Sequence, residues 1–304
     1  FFQMRFFNNL EFKTEIQLAV AESYRYLVNF DQSELILSSI SKKEILSKAY
    51  SQKLLIEGDI LLLKEDVHGA IDRYSSALDY FSMTNSYFEQ GKLLLKLSNA
   101  HSYLLDFKSS FDYLARCNSL LDVYDNGYLK AMFYDTLGII NIALGTFTDK
   151  VNIRKSINLN DFSGSKKELF YNHRNLASIE LGDGNYKDAF ELFNQASKYE
   201  HILRPELKFS RTELFKSFIN SSIDFKSSYN KMLYEYKNLK HSVNKNLHEY
   251  VLASMSYING ITEKQRREGF SILNKISESA SYPLLEEVAK KTLVTKNIFP
   301  LSFK

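Results

Sequence analysis

The chain is expected to be all-α: a right-handed superhelical solenoid of about seven helical hairpins with a C-terminal capping helix. Three observations predict this. Phe30, Val67, Phe107, Phe147, Tyr186 and Phe225 recur at steps of 37, 40, 40, 39 and 39 residues, and a near-constant period of this size marks a stacked-repeat architecture. Each opens a run whose inner positions align: Ser33, Ala70, Ser110, Lys150, Ala189 and Ser228 three residues on, then Leu37, Tyr74, Leu114, Arg154, Phe193 and Met232 four further. Finally, 3 prolines and 11 glycines in 304 residues are too few for the many turns of a β-sandwich or barrel.

The first unit begins near Thr14. The second, 50–81, has Leu54, Leu55, Leu61 and Leu62 at helical spacing, breaks at Lys64-Glu65-Asp66, and resumes with Ala70, Tyr74, Ala77, Leu78 and Phe81 on one face. Gly58 and Ala70 are small where two antiparallel helices must cross, so their axes can approach closely. A third unit begins near Gln90. The fourth, 130–159, keeps Leu137, Gly138, Leu144, Gly145 and Phe147 but has Lys150 and Arg154 where its siblings have Ala and an aromatic residue. An unpaired charge there would be expensive to bury, so this helix is expected to be displaced, or its charged heads to reach water or a carboxylate. The fifth unit, 168–200, repeats the second most closely, with Leu176, Ala177, Leu181, Ala189, Phe193 and Ala196. Its turn, Gly182-Asp183-Gly184-Asn185, consists of residues that tolerate positive φ. A sixth unit begins near Glu206. The seventh, near His248, keeps Leu273 and Ile276 but has Arg266 at the aromatic position, as suits a terminal unit with one face in water. A last amphipathic helix, 283–296, presents Leu284, Leu285, Val288 and Leu293 and is expected to cover the open edge. Inter-repeat loops are expected at 121–128, 158–166 and 241–246. The second, NLNDFSGSK, is the hinge candidate dividing repeats in 1–160 from repeats and capping helix in 161–304.

This pattern resembles the tetratricopeptide repeat (TPR). The family's small residue on the first helix matches Gly58, Gly138 and Ala177, and the one opening the second helix matches Ala70 and Ala189. Its aromatic four later matches Tyr74 and Phe193, and its next small residue matches Ala77 and Ala196. The likeness runs over about 14–280 and departs from the family in its longer period and lack of Trp. Long, degenerate repeats of this kind resemble those of bacterial regulators, including the peptide-pheromone receptors of Gram-positive bacteria and their phage relatives. The resemblance implies a non-catalytic module that binds a peptide or protein in a regulatory setting; a constitutive scaffold is the alternative. An upstream DNA-binding or effector module is expected ahead of Phe1, and a homodimer is compatible with the reading.

Composition narrows the remaining choices. A net charge of +3 and a pI near 8.6 are too weakly basic for a nucleic-acid footprint. The single cysteine, Cys117, excludes an internal disulfide and points to a reducing, cytoplasmic setting. It aligns with Ala77 and Ala196, so it reads as a buried packing residue. No run of about 18 apolar residues would span a membrane. The histidines, His68, His101, His173, His201, His241 and His248, lack metal-ligand spacing, and neither a nucleophile motif nor a phosphate loop occurs. No cofactor, metal or catalytic residue is expected. The repeating aromatics read as inter-repeat core rather than a base-stacking ladder. In TPR arrays the first helix of each pair lines the concave surface. Carrying those positions over gives Arg25 and Tyr26, Asp59, Asn99 and Tyr103, Asp135, Tyr171 and Arg174, and Asn220 as the candidate groove. An Asn can pair with a peptide bond through both ends of its amide, and an Arg can clamp a carboxylate. These side chains are expected to face inward, and that of Arg174 to be solvated when no ligand is bound.

Overall fold

The computed structural model describes residues 10–27, 29–40, 48–146, 150–203, 211–238, 245–280 and 283–299. Fifteen helices are found among them: α1 Leu10–Tyr26, α2 Phe30–Ser38, α3 Lys48–Leu63, α4 Val67–Met83, α5 Tyr87–Tyr103, α6 Phe107–Val123, α7 Gly127–Leu144, α8 Lys150–Ser163, α9 Lys166–Gly182, α10 Tyr186–Leu203, α11 Arg211–Ser221, α12 Phe225–Lys237, α13 Lys245–Asn259, α14 Glu263–Ser279 and α15 Pro283–Thr295. They pack as seven consecutive hairpins, each stacked on the next, with α15 against α14. No described helix is long and apolar enough to cross a membrane.

The repeat period becomes a repeated turn. After α3, α5 and α9 the chain reverses in three residues whose middle member is left-handed: Glu65 (φ 67°), Leu105 (φ 60°) and Gly184 (φ 81°). The backbone N–H of Asp66, Asp106 and Asn185 then bonds back to Leu61, His101 and Glu180, closing each first helix. The Asp66 and Asp106 side chains cap the second helix by accepting from Gly69 N (2.9 Å) and Ser109 N (3.1 Å). Asp224 does the same for Ser227 N at 3.1 Å.

The periodic residues Phe30, Val67, Phe107, Tyr186 and Phe225 are the first residues of second helices, and all pack into hydrophobic core. Phe147 lies outside the described residues. Behind each, the aligned positions are buried: α4 buries Val67, Ala70, Tyr74, Ala77, Leu78 and Phe81, and Ala189, Phe193 and Ala196 of α10 are all 0% exposed. Cys117 is buried, as its alignment implies, and burial pushes its thiol up to about 12. In α14 the alignment also holds, with Leu273 and Ile276 buried, while Arg266 stays exposed and donates Nε to the Gly260 carbonyl at 2.8 Å.

Where Gly58 faces Tyr74, a Cβ on the glycine would come within 2.5 Å of the ring. Two helices can cross this closely only because that atom is missing.

The α7–α8 pair corrects the alignment. Arg154 is exposed, and the buried residues of α8 are Ile153, Ser156 and Asn160. Ile153 lies over Gly138, as Tyr74 lies over Gly58. The separation is 15 residues against 16 in the second unit, so the register anchored on Phe147 is off by one. Lys150, no longer aimed at the core, reaches Glu180 (2.6 Å) and Asp183 (2.9 Å). Partial burial opposes both charges, but these bonds outweigh it, raising the ammonium's pKa and lowering that of Glu180.

Of the expected loops, 158–166 is mostly helix, because α8 runs to Ser163 and only Gly164-Ser165 separate it from α9. The 121–128 link shortens to Tyr124, Asp125 and Asn126. Residues 241–244 and Glu206 lie outside the described residues. In α15, Leu284, Leu285 and Val288 are buried as expected, joined by Ala289 and Thr292.

Candidate functional site

First helices pack on one another as well as on their partners: α1 on α3, α5 on α7, α7 on α9 and α11 on α13. A seam of polar side chains therefore runs along the inner side of the array. In its N-terminal part, Asp59 Oδ1 accepts from Tyr74 OH (2.7 Å) and Lys96 Nζ (2.6 Å), while Arg25 Nη2 stands 3.7 Å from Oδ2. Arg25 is also held by Glu22, with Nη2 at 2.6 Å and Nε at 3.0 Å, and stacks over the Tyr26 ring at 4.3 Å. Burial raises the pKa of the Asp59 carboxyl, but Lys96, Arg25 and the two donated bonds outweigh it and hold the group below its ordinary value of 3.8. Burial and the neighbouring Asp59 push the Tyr74 phenol well up.

In the middle of the array, Asp135 Oδ1 accepts from Asn172 (2.6 Å) and Asn175 (2.9 Å) on α9. Asn172 in turn accepts from Asn160 (2.7 Å) and Ser156 (3.3 Å) of α8. Three helices are joined by this buried network, and every link is a side chain the apolar repeat pattern does not register.

Two units far apart in sequence also touch. Lys167, at the start of α9, donates to the Tyr26 hydroxyl at the end of α1, and its Nζ sits 4.5 Å from that ring. The two residues are 141 apart in sequence. The first and fifth units thus meet, bringing Lys167 toward Arg25; burial lowers the Lys167 pKa, Tyr171, Glu168 and Glu22 oppose that shift, and Arg25 adds to it.

The expected groove residues divide accordingly. Arg25, Asp59, Asn99, Tyr103, Asp135, Tyr171 and Arg174 are buried, which for Arg174 is contrary to the expectation that it is solvated. The cause is the packing between first helices, which turns the flank of each into an inter-unit seam. Asp59 and Asp135 are scaffold ties. Arg174 stacks over Phe170 (5.4 Å) and Tyr171 (5.1 Å). Asn220 is exposed at the last turn of α11, where its carbonyl closes the turn with Ile223 and Asp224; it is not part of the cluster.

Asn99 is different. Its Oδ1 is buried without a hydrogen-bond partner among the described residues, which is costly to leave so. It shares one stripe of α5 with Lys92, Lys96 and Tyr103, at spacings of four, three and four residues. Lys92, Lys96 and Lys167 are the residues missed by reading one family position per repeat. Extending the helical stripe from Asn99 and Tyr103 back toward the start of α5, and from Tyr171 back along α9, would have found them.

Over 95% of its length the chain superposes on a Rap protein complexed with Competence and Sporulation Factor, covering 89% of that chain, with a TM-score of 0.59 and 12% identity. A STAND protein with a tetratricopeptide repeat sensor from Pyrococcus horikoshii matches with a TM-score of 0.38 and 13% identity; there the chain spans half of the other's length. No protein-family model and no curated protein sequence matches the chain. At this identity the Rap likeness establishes the fold, an all-helical TPR-like solenoid.

Proposed function

We propose that this protein is a non-catalytic receptor whose concave face binds an extended peptide or protein segment and that it serves as the sensing part of a bacterial regulator in the cytoplasm. The observation that carries this reading is Asn99, a buried amide with an unsatisfied acceptor on the helix stripe that faces the inside of the array. A side chain in that state suits the N–H of an incoming peptide bond. The superposed Rap protein was solved with a factor bound, and the same use of the fold is extended here to this chain. An upstream DNA-binding or effector module, and pairing of two copies, belong to the same proposal.

The test uses mixed hexapeptide pools and native mass spectrometry. Wild-type protein is expected to retain peptides from the pools, and Asn99→Ala to retain them about tenfold less well, the loss of roughly one hydrogen bond to a buried partner. Because the wild-type oxygen is unsatisfied, the melting temperature of the variant should stay near that of wild type. A large fall in melting temperature with retention unchanged would make Asn99 a packing residue and place binding elsewhere. Failure of the wild type to retain any pool would sink the peptide-receptor reading.

A further inference from the structure

We propose that the edge of the array where each unit links to the next is a docking surface for a basic amphipathic helix of a partner protein, seated along Met83, Val123 and Phe162. The inference concerns a different face from the concave one and stands apart from the peptide-receptor reading.

Met83, Val123, Phe162 and Ile202 follow one another at steps of 40, 39 and 40 residues. Each stands nine places after the large core residue of its second helix, Tyr74, Leu114, Ile153 and Phe193. Phe162 joins the row only in the register that Ile153 and Gly138 set. The row is thus a property of the repeat, as the core is, yet its members are 71, 75, 97 and 59% exposed. Single exposed apolar side chains are ordinary; one that returns at the same repeat position in four consecutive units is not. Leu46 and His241, at that position in the first and sixth units, lie outside the described residues.

Contacts between units bring the row onto one edge. Links of three, three and two residues lead from the ends of α4, α6 and α8 to the starts of α5, α7 and α9. Those starts adjoin one another: the Phe88 ring lies 6.0 Å from that of Tyr128, whose hydroxyl donates to Glu168 at 2.8 Å. Tyr87, four residues past Met83, has its ring 6.0 Å from that of Tyr124, the neighbour of Val123. Aromatic surface therefore fills the interval between Met83 and Val123.

The charge beside the row is acidic. Asp122 and Asp161 directly precede Val123 and Phe162, and Asp79 lies one turn before Met83; all three are exposed. None is in an ion pair among the described residues, where the nearby Lys130 is held instead by Asp125 at 2.6 Å. Asp122 acts on that ammonium only at longer range. Lys166, exposed at the start of α9, is outnumbered by the three carboxylates. A carboxylate near a helix C-terminus is also unfavourable against the helix dipole, and α4, α6 and α8 have no basic residue in their last turns to offset it. Cations brought by a partner would supply what the chain leaves out.

The spacing selects a helix as that partner. The first helices α5, α7 and α9 pack on one another in turn, so the array advances by about one interhelical distance, roughly 10 Å, per unit. An α-helix presents the same face every seven residues, a rise of about 10.5 Å. Apolar side chains at that interval meet the row one per unit, and Lys or Arg beside them reach the aspartates. A second copy using this edge would set aspartate against aspartate across the two-fold axis. An anionic lipid surface would be repelled.

The probe is a labelled synthetic helix of about 18 residues, with Leu at seven-residue intervals on one face and Lys and Ala elsewhere. A Glu-for-Lys version and a shuffled peptide of the same composition are the controls. Binding is read by fluorescence anisotropy, and a benzophenone-bearing copy is crosslinked to wild type and mapped by mass spectrometry. Wild type should bind the Lys helix about tenfold or more tighter than either control, with crosslinks at the ends of α4, α6 and α8. The triple variant Met83→Ser, Val123→Ser, Phe162→Ser should weaken binding about tenfold, by loss of apolar contact. Asp79→Asn, Asp122→Asn and Asp161→Asn together should weaken it and flatten its salt dependence, while melting at or above wild type. Ile223→Ser with Ile261→Ser, exposed apolar residues in the hairpin turns of the opposite edge, should change nothing. Equal binding of the shuffled peptide, or crosslinks away from this edge, overturns the proposal, and the crosslinks decide even if the Ser variant melts low. A wild-type dimer in sedimentation velocity that the Ser variant abolishes would make a second copy the occupant. Binding of wild type to phosphatidylserine vesicles, lost in the Ser variant, would make it a lipid surface; either result overturns the partner helix.

Discussion

Replacing Gly58 with Ala tests the helix crossing that organises the second unit. In an exposed helix interior the change would stabilise by about 1 kcal/mol, because Gly is the poorer helix former. Here the new methyl would lie 2.5 Å from Tyr74 Cε1 and 2.8 Å from Cδ1. The ring cannot swing aside, since Tyr74 is 0% exposed and its hydroxyl is tied to Asp59 at 2.7 Å. Overpacking of this kind typically costs about 1–3 kcal/mol, so the net effect is a loss of about 1 kcal/mol, read as a fall of roughly 2 °C or more in melting temperature for a chain of this size. Gly127→Ala is the control. It sits at the first position of α7 with nothing within 4 Å of the added carbon, and it should leave stability unchanged or slightly higher. A cycle with Tyr74→Leu completes the assay: in that background Gly58→Ala should lose most of its penalty, giving a coupling of about 1 kcal/mol. If Gly58→Ala raises the melting temperature as Gly127→Ala does, Tyr74 does not sit over the glycine, and the repeat register from which the whole array was read is wrong.

Arg174→Ala should lower stability by roughly 1–2 kcal/mol, because the guanidinium is buried over Phe170 and Tyr171; an unchanged melting temperature would return it to the solvated groove. Asp59→Asn should destabilise the protein at pH 7. Since the Asp59 carboxyl is held below 3.8 in the folded state, its contribution is present above that value and is lost as pH falls through the folded pKa; melting curves from pH 7 down to about 3 should therefore show the gap between wild type and variant closing only at the acid end. For the proposed division at 158–166, limited chymotrypsin digestion should cut first after Phe162, which is 97% exposed and stands two residues before Gly164 (φ 70°); resistance there while other links are cut would make the array one rigid unit.

The repeat period, the pairing of helices and the small-against-large contacts at Gly58, Ala70, Tyr74, Ala189 and Phe193 were legible in the sequence because they are local. Each hairpin meets the same neighbour in the same way, so the same residue sizes return at the same spacing. The α7–α8 link was misread because its marker, Phe147, is an aromatic residue at the period but one place away from the register that Ile153 and Gly138 set by contact. The stripes of the first helices were also legible in part, as Asn99, Tyr103, Tyr171 and Arg174 lie on those that carry Lys92, Lys96 and Lys167. What those side chains do was decided by tertiary structure. Asp59 and Asp135 look like groove residues in sequence and become ties between helices, because a carboxylate takes its role from whichever donors reach it, and those donors come from other repeats. The meeting of Tyr26 with Lys167 depends on the summed curvature of four hairpins, a quantity to which every inter-repeat contact adds a small rotation and which no single segment encodes.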